Sequence, residues 1–110
     1  MTIDEYIEGL PADQAEIAKS LRARLDAGLP GAEGRVWHGH PVWMRGDDPV
    51  AGFKAFPRWV TLLLWHGAEV TRSTDALTAS ADGARWSLKI AAPGDLDGAA
   101  VDGWLGQLAG

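Results

Sequence analysis

Residues 36–45 read "VWHGHPVWMR", and they determine where the first hairpin forms. The run is strand-like, and two tryptophans flank its two histidines, His38 and His40. Because proline cannot donate a ladder hydrogen bond, we expect Pro41 to bend the strand or to confine it to a sheet edge. The stretch therefore predicts two extended segments, divided at the proline, that enter a hairpin.

The residues that follow predict more strands joined by short turns. Residues 45–49, "RGDDP", have the composition of a turn. Residues 50–56, "VAGFKAF", form the next predicted strand, and the "PR" after them is the next turn. Residues 59–66, "WVTLLLWH", are apolar at consecutive positions, so we expect a central strand covered on both faces. Short turns between strands indicate antiparallel hairpins.

The last strand and the stretch before it differ in the strength of their pattern. Residues 85–90, "RWSLKI", alternate apolar with polar side chains, which is typical of a strand. The residues that share its apolar face are Trp86, Leu88 and Ile90. Residues 67–84 carry no strong period, and a short helix around residues 69–77 is the prediction there.

Both ends of the chain predict helices. Ile3, Ile7 and Leu10 lie at helical spacing. Pro11 marks the start of a second helix, because its missing N–H costs nothing at that position. The apolar stripe of the second helix consists of Ile17, Ala18, Leu21 and Leu25. Asp97 is the expected N-cap of a last helix. Its apolar stripe consists of Val101, Trp104, Leu105 and Leu108.

Together these elements predict an α+β domain. We expect a mainly antiparallel sheet of about five strands, with the N-terminal and C-terminal helices packed on one face. The 110 residues suit a single domain spanning 1–110, and no internal repeat or low-complexity segment divides them.

Composition narrows the classes of function. The formal net charge is −5, from 15 acidic and 10 basic residues without a Lys and Arg cluster, so we expect no nucleic-acid or membrane binding. There is no long apolar run to predict a transmembrane helix, and no cysteine for disulfide or thiolate chemistry. The acidic N-terminal residues lack the pattern of a secretory signal, so the predicted location is cytoplasmic.

Several motifs, in matching order, resemble a known family. They are "IDEYIEGLP" at 3–11, "LRARLDAGLPGA" at 21–32, "WHGHPVW" at 37–43, "PVAGFKAFPRWVTLLLW" at 49–65 and the final "DGAAVDGWLGQL". In this order they are similar to the YdhG-like family, a domain family of unknown function. Some of its members are described as frataxin-like intracellular iron chaperones. The resemblance implies a small α+β domain with a mainly antiparallel sheet, and it implies no established enzymatic activity.

The three histidines are the first candidate site. In a regular strand His38 and His40 point to the same face, and His66 is the last residue of the predicted central strand. Three neutral imidazoles suit iron or zinc, but no carboxylate adjoins any of them in sequence to support such a site. The alternative is that they are hydrogen-bonded within an aromatic-rich sheet face. We therefore predict no resident cofactor, with iron or zinc as the alternative.

The aromatic residues of the strands are the second candidate site. They are Trp37, Trp43, Phe53, Phe56, Trp59, Trp65 and Trp86. If the strands pair as hairpins, several of these residues converge on one face of the sheet. That face is then the core, an apolar pocket with His and Trp N–H groups for polar contacts, or a protein-binding patch. The predicted ligand-binding residues are Trp37, His38, His40, Trp43, Phe53, Trp65 and His66.

The acidic residues of the first helices are the third candidate. Asp4, Glu5, Glu8, Asp13 and Glu16 indicate either a solvated helix face or a weak site for hard cations, which an iron chaperone needs. No phosphate loop or nucleophile elbow is present. We therefore expect a non-enzymatic module that binds a small ligand or a protein partner, with a homodimer as a further expectation. The alternatives are a frataxin-like metal chaperone and an enzyme of unknown reaction.

Overall fold

The computed structural model describes residues 1–65, 78–79 and 85–109, which contain three α-helices, six strands and one 3-10 helix (Pro93–Asp95). The helices are α1 (Ile3–Glu8), α2 (Ala12–Gly28) and α3 (Gly98–Ala109). The strands are β1 (Glu33–Trp37), β2 (His40–Arg45), β3 (Asp48–Ala55), β4 (Val60–Trp65), β5 (Thr78–Ala79) and β6 (Arg85–Ile90). The helix predicted around residues 69–77 lies outside the described residues. Among those residues, no helix is both long enough and apolar enough to cross a membrane.

The strands form one antiparallel sheet in the order β1-β2-β3-β4-β6-β5. Five of them have five to eight residues, and β5 adds two residues at one edge. β4 lies between β3 and β6, the central position that its apolar run predicts. The predicted fold class is confirmed: an α+β fold with a mainly antiparallel sheet of about five strands and helices from both ends of the chain.

The first hairpin turns at His38 and Gly39. Both residues have positive φ, 52° and 85° respectively, which a two-residue hairpin loop of type I′ requires. Glycine adopts this conformation without steric cost, and histidine is among the residues enriched in it. The turn pairs Trp37 with His40, so β2 begins directly after Gly39.

The predicted division of the strands at Pro41 is therefore wrong. Pro41 pairs with Val36 inside β2, and β2 has β1 on one side and β3 on the other, so it is not an edge strand. The proline fits because registered pairing between β2 and β3 begins one residue later, at Val42 and Gly52. The missing N–H of Pro41 thus interrupts no registered pair with β3.

The helices cover one face of the sheet. α1 contacts β1 and β2, α2 contacts β3 and β4, and α3 packs against α2. The apolar stripes predicted for α2 and α3 are buried there. The sheet residues in the same core cluster are Trp43, Val50, Ala51, Phe53, Val60, Leu62, Leu64 and Ile90. Burial of a large apolar side chain contributes about 1.5–3 kcal/mol, so this face holds the layers together.

Local hydrogen bonds fix the starts of two helices. Thr2 and Glu5 form a reciprocal capping box before α1. The pKa of Glu5 is lowered, because Thr2 stabilises the ionised carboxyl. The largest contribution comes from the backbone N–H of Thr2 and the next from its hydroxyl. At α3, Asp97 Oδ1 accepts the Ala100 N–H at 3.1 Å, as the predicted cap requires.

Candidate functional site

The sheet has a second face, called here the outer face, which points away from the helices. Because side chains alternate along a strand, the residues on either side of each core residue belong to it. The register aligns them in rows across the sheet. One row consists of Arg35, Val42, Gly52, Leu63 and Ser87. The next row consists of Trp37, His40, Lys54, Thr61 and Lys89.

Two tryptophans meet on the outer face although they belong to β1 and β4. The ring centroids of Trp37 and Trp65 are 6.4 Å apart at an interplanar angle of 73°, which is an edge-to-face contact. Between their strands, Val42 and Gly52 are buried. Trp37 and Trp65, called here the indole pair, are each half-buried, so both still present surface to solvent.

A glycine allows the strands between the indole pair to approach closely. A Cβ on Gly52 would lie 2.5 Å from the carbonyl oxygen of Pro41 and 3.1 Å from the Cα of Val42. Real Cβ atoms do not come within 3.0 Å of backbone, so any larger residue must displace β2 from β3. The backbone of β2 therefore leaves no room for a side chain at residue 52.

A second aromatic pair lies at the turn between β3 and β4. The Phe56 N–H donates to the Trp59 carbonyl at 2.8 Å, which places these two residues opposite each other. Their rings stack with centroids 5.3 Å apart and planes 21° apart. Lys54 Nζ lies 5.4 Å from the Phe56 centroid, and Lys89 Nζ lies 4.6 Å from the Trp59 centroid. Lys54, Phe56, Trp59 and Lys89 are called here the aromatic–lysine cluster.

Hydrogen bonds hold this turn from both faces of the sheet. From the helix side, Gln14 Nε2 donates to the carbonyl of Phe56 and, at 3.4 Å, to the carbonyl of Trp59. On the outer face, Trp59 Nε1 donates to Thr61 Oγ1 at 2.9 Å. The positions of the two rings are therefore fixed by bonds as well as by stacking.

The two described histidines have different surroundings. His38 is exposed in the turn, with its ring centroid 4.0 Å from that of Trp37. His40 is buried beside Lys54, and its burial lowers its pKa below the ordinary value. A hydrogen bond with the Pro41 carbonyl, at 3.4 Å, raises this pKa, and the charge of Lys54 lowers it further. His40 is therefore neutral at pH 7.

The outer face concentrates positive charge in a chain whose net charge is −5. Among the described residues, its exposed cations are Arg35, Lys54, Lys89 and Arg85, the last of which has a further interaction partner. Arg85 lies 6.0 Å from the ring of Trp65, so a cation borders each aromatic pair. The ion pairs formed between described residues join Arg22 to Asp4 and Asp26, and Arg24 to Asp102, all on the helices. Glu33 brings a carboxylate to the outer face, at the start of β1.

The structure brings together four of the seven residues predicted to bind a ligand. They are Trp37, His38, His40 and Trp65. Trp43 and Phe53 instead face the helices, where both are 0% exposed, so they belong to the core and not to this surface. Their ring centroids are 6.0 Å apart, and Trp43 Nε1 donates to Asp26 Oδ1 at 2.8 Å. His66 lies outside the described residues.

A metal site finds no support within the residues that the structure describes, where no three His, Asp or Glu side chains are placed to hold an ion. His38 lies in a turn and His40 in a strand, so the regular-strand geometry expected for them does not occur. On the helices, Arg22 pairs with Asp4. A groove of about 470 Å³ there is lined by Asp4, Ile7, Glu8, Lys19, Arg22, Ala23 and Asp26. Two cations, Lys19 and Arg22, thus compensate two of the three carboxylates of this groove.

Sequence reasoning missed Lys54, Thr61 and Lys89 as members of the site. Each is an ordinary polar residue of a strand, and no local motif marks it. The alternation of side chains in the three strands places them away from the core. Their alignment also depends on the register, which the turns set and which a single sequence does not show.

Comparisons with known proteins gave no match. This holds for the scan of protein-family models and for the searches of the curated proteins and the solved structures. The resemblance to the YdhG-like family stays a prediction from the motifs, and the candidate function rests on the geometry of the outer face.

Proposed function

We propose that the protein is a non-enzymatic binding module whose outer face takes a small ligand. The indole pair carries the proposal, because two half-buried tryptophans meet at 6.4 Å on the face opposite the helices. Tryptophan combines a large apolar surface with one N–H donor, which suits it to surfaces that are apolar on one side and wet on the other.

The indole N–H groups support this proposal. Trp43 and Trp59 donate theirs to Asp26 and Thr61. The indole N–H groups of Trp37, Trp65 and the helix-facing Trp86 have no acceptor among the described residues. Those of Trp37 and Trp65 belong to the outer face, where they remain for water or a ligand. An apolar surface with a few placed donors is the usual composition of a small-molecule site.

The test is a ligand screen read at the six indole N–H signals of the ¹⁵N-labelled chain. Single Trp→Phe variants assign each signal. The expected result is that a flat apolar ligand shifts the signals of Trp37 and Trp65 and leaves those of the core residues Trp43 and Trp104 in place. A Trp65→Ala variant should weaken binding at least about tenfold, since buried tryptophans at binding surfaces typically contribute 2 kcal/mol or more.

Trp86 provides the matched control. It is also a half-buried strand tryptophan, and it lies on the helix-facing side next to Leu64. Trp86→Ala should leave the affinity of the same ligand unchanged in the folded protein. The proposal fails if no ligand in the screen shifts Trp37 or Trp65, or if Trp86→Ala and Trp65→Ala weaken binding equally.

A further inference from the structure

We propose that the aromatic–lysine cluster, together with Thr61, binds the phosphate of a small phosphate monoester that carries a planar ring, the chemistry of a mononucleotide. The ring of this ligand lies toward the indole pair. The inference rests on the proposed function, because it takes the outer face as the ligand surface and names the class of ligand.

Two lysines flank one hydroxyl in a row across three neighbouring strands. Lys54 of β3 and Lys89 of β6 are both registered with Thr61 of β4. Neighbouring strands lie about 4.8 Å apart, so the two lysine Cα atoms are about 10 Å apart with Thr61 midway. Both side chains leave the sheet on the outer face, and both ammonium groups can reach one anion above Thr61.

The charges of both lysines are held in place without being neutralised. Lys54 lies over Phe56 and Lys89 over Trp59. A cation–π contact restricts an ammonium group and leaves its charge intact. Among the described residues, no carboxylate oxygen lies within 4.0 Å of either ammonium group. An anion therefore meets two positioned positive charges that no described ion pair compensates.

The Thr61 hydroxyl supplies a directed donor between the two lysines. Its oxygen accepts the Trp59 Nε1–H at 2.9 Å, so its own proton must point elsewhere. No acceptor for that proton exists among the described residues, although Thr61 is only 8% exposed. The Trp59 N–H already gives this oxygen one partner, and the hydroxyl proton remains to be donated to a ligand oxygen.

This donor set matches a phosphate better than a carboxylate. A phosphate monoester carries about −1.5 to −2 charges at pH 7 and three acceptor oxygens. Two ammonium groups and one hydroxyl supply two positive charges and three directions of donation. A carboxylate has one charge and two oxygens, which leaves one lysine uncompensated.

The rest of the ligand follows β4. Thr61, Leu63 and Trp65 occupy alternate positions on the outer face, so each is about 7 Å from the next. Leu63 is half-buried and gives an apolar floor between the phosphate position and the indole pair. A planar ring that extends from the phosphate over Leu63 therefore reaches Trp65.

The test uses adenosine monophosphate as the probe and titration calorimetry of the full chain at low salt, because salt screens such contacts. The chain has three lysines, Lys19, Lys54 and Lys89, and this supplies the control. Lys54→Met and Lys89→Met should each weaken binding by about tenfold or more, as expected when a charge-assisted contact is lost. Lys19→Met, on the exposed side of α2, should leave the affinity unchanged. Lys89→Arg, which keeps the charge, should retain most of the binding.

Comparison of probes shows which part of the ligand the site recognises. Adenosine should bind more weakly than adenosine monophosphate, and inorganic phosphate should compete with it. The inference is overturned if adenosine binds as well as its monophosphate, or if all three Lys→Met variants bind alike. It is also overturned if a single-stranded oligonucleotide binds far more tightly with a steep salt dependence, since a polymer is then the ligand.

Failure here is distinguishable from failure of the proposed function. One outcome is that a neutral flat ligand shifts the signals of Trp37 and Trp65 while adenosine monophosphate does not bind even at about 10 mM, a concentration far above ordinary dissociation constants. The outer face then binds a ligand of another class. The indole spectrum of each lysine variant reports whether it is folded, so loss of binding through unfolding is recognised directly.

Discussion

The two faces of the sheet use the same kinds of residue in opposite ways. On the helix side, Trp43 and Phe53 are 0% exposed, and Asp26 accepts the Trp43 indole N–H at 2.8 Å. On the outer face, Trp37 and Trp65 are half-buried, and their indole N–H groups find no acceptor within the described part of the chain. Residue type therefore does not separate core from binding surface; the position of a residue in the pleat does.

The comparison predicts its largest effect for the two phenylalanines. Phe53 is fully buried in the core, whereas Phe56 is half-buried on the outer face. Phe53→Ala should lower the free energy of unfolding by about 3–5 kcal/mol, because it leaves a cavity in addition to the lost burial. Phe56→Ala should cost about 1 kcal/mol, the usual effect of a substitution outside the core. Urea denaturation of both variants measures the difference, and equal losses would show that the two faces are equally important for stability.

Two glycines, one in the sheet and one in a helix, should show a smaller difference in stability. Gly52→Ala should lower the free energy of unfolding by about 1–3 kcal/mol, because the added Cβ clashes with the Pro41 carbonyl and strains the pairing of β2 with β3. Gly103→Ala is the control, because it lies exposed in α3 with no atom within 4 Å of the added Cβ. It should raise stability by about 0.5–1 kcal/mol through helix propensity. Thermal and urea unfolding should give opposite signs for the two variants; a neutral Gly52→Ala would mean that the strands separate without cost.

The sequence predicted the helices and the sheet class well because their signals are local. The apolar stripes of α2 and α3 are buried as their spacing requires. The last strand likewise directs Ile90 to the core as its alternation requires. Each of these inferences needs only the period of one element, and none depends on how two elements pair.

The composition of the site was harder to predict because it depends on one turn. In a continuous strand, Trp37 and Trp43 would share a face, since they are separated by an even number of residues. The two-residue turn at His38 and Gly39 folds the chain back, so Trp37 lies opposite His40 and Trp43 falls on the other face. The division between the strands was predicted at Pro41, because proline is the stronger strand breaker. A one-residue shift of a turn moves the side chains of a strand from one face of the sheet to the other.

The smallest predicted effect concerns the two histidines of the first hairpin. His40 is buried on the outer face, and burial, together with the charges of Lys54 and His38, lowers its pKa below 6.5. Below about pH 6.5 the unfolded chain therefore binds a proton that the folded chain does not. The free energy of unfolding should fall as the pH drops from about 7 to the lowered pKa of His40, by at most about 1.4 kcal/mol per pH unit, and then level off.

His40→Gln and His38→Gln separate this effect from the other titrations. Glu5 also has a lowered pKa, but it titrates below its ordinary value of 4.5, outside this range. His40→Gln should remove the slope that begins below about pH 6.5, because the variant lacks the imidazole whose pKa burial lowers. His38→Gln should keep most of the slope, because burial is the largest cause of the lowered His40 pKa and the charge of His38 is the smallest one. Urea denaturation at each pH measures the slope. If His40→Gln has the same slope as the wild type, burial of His40 does not cause the pH dependence of stability.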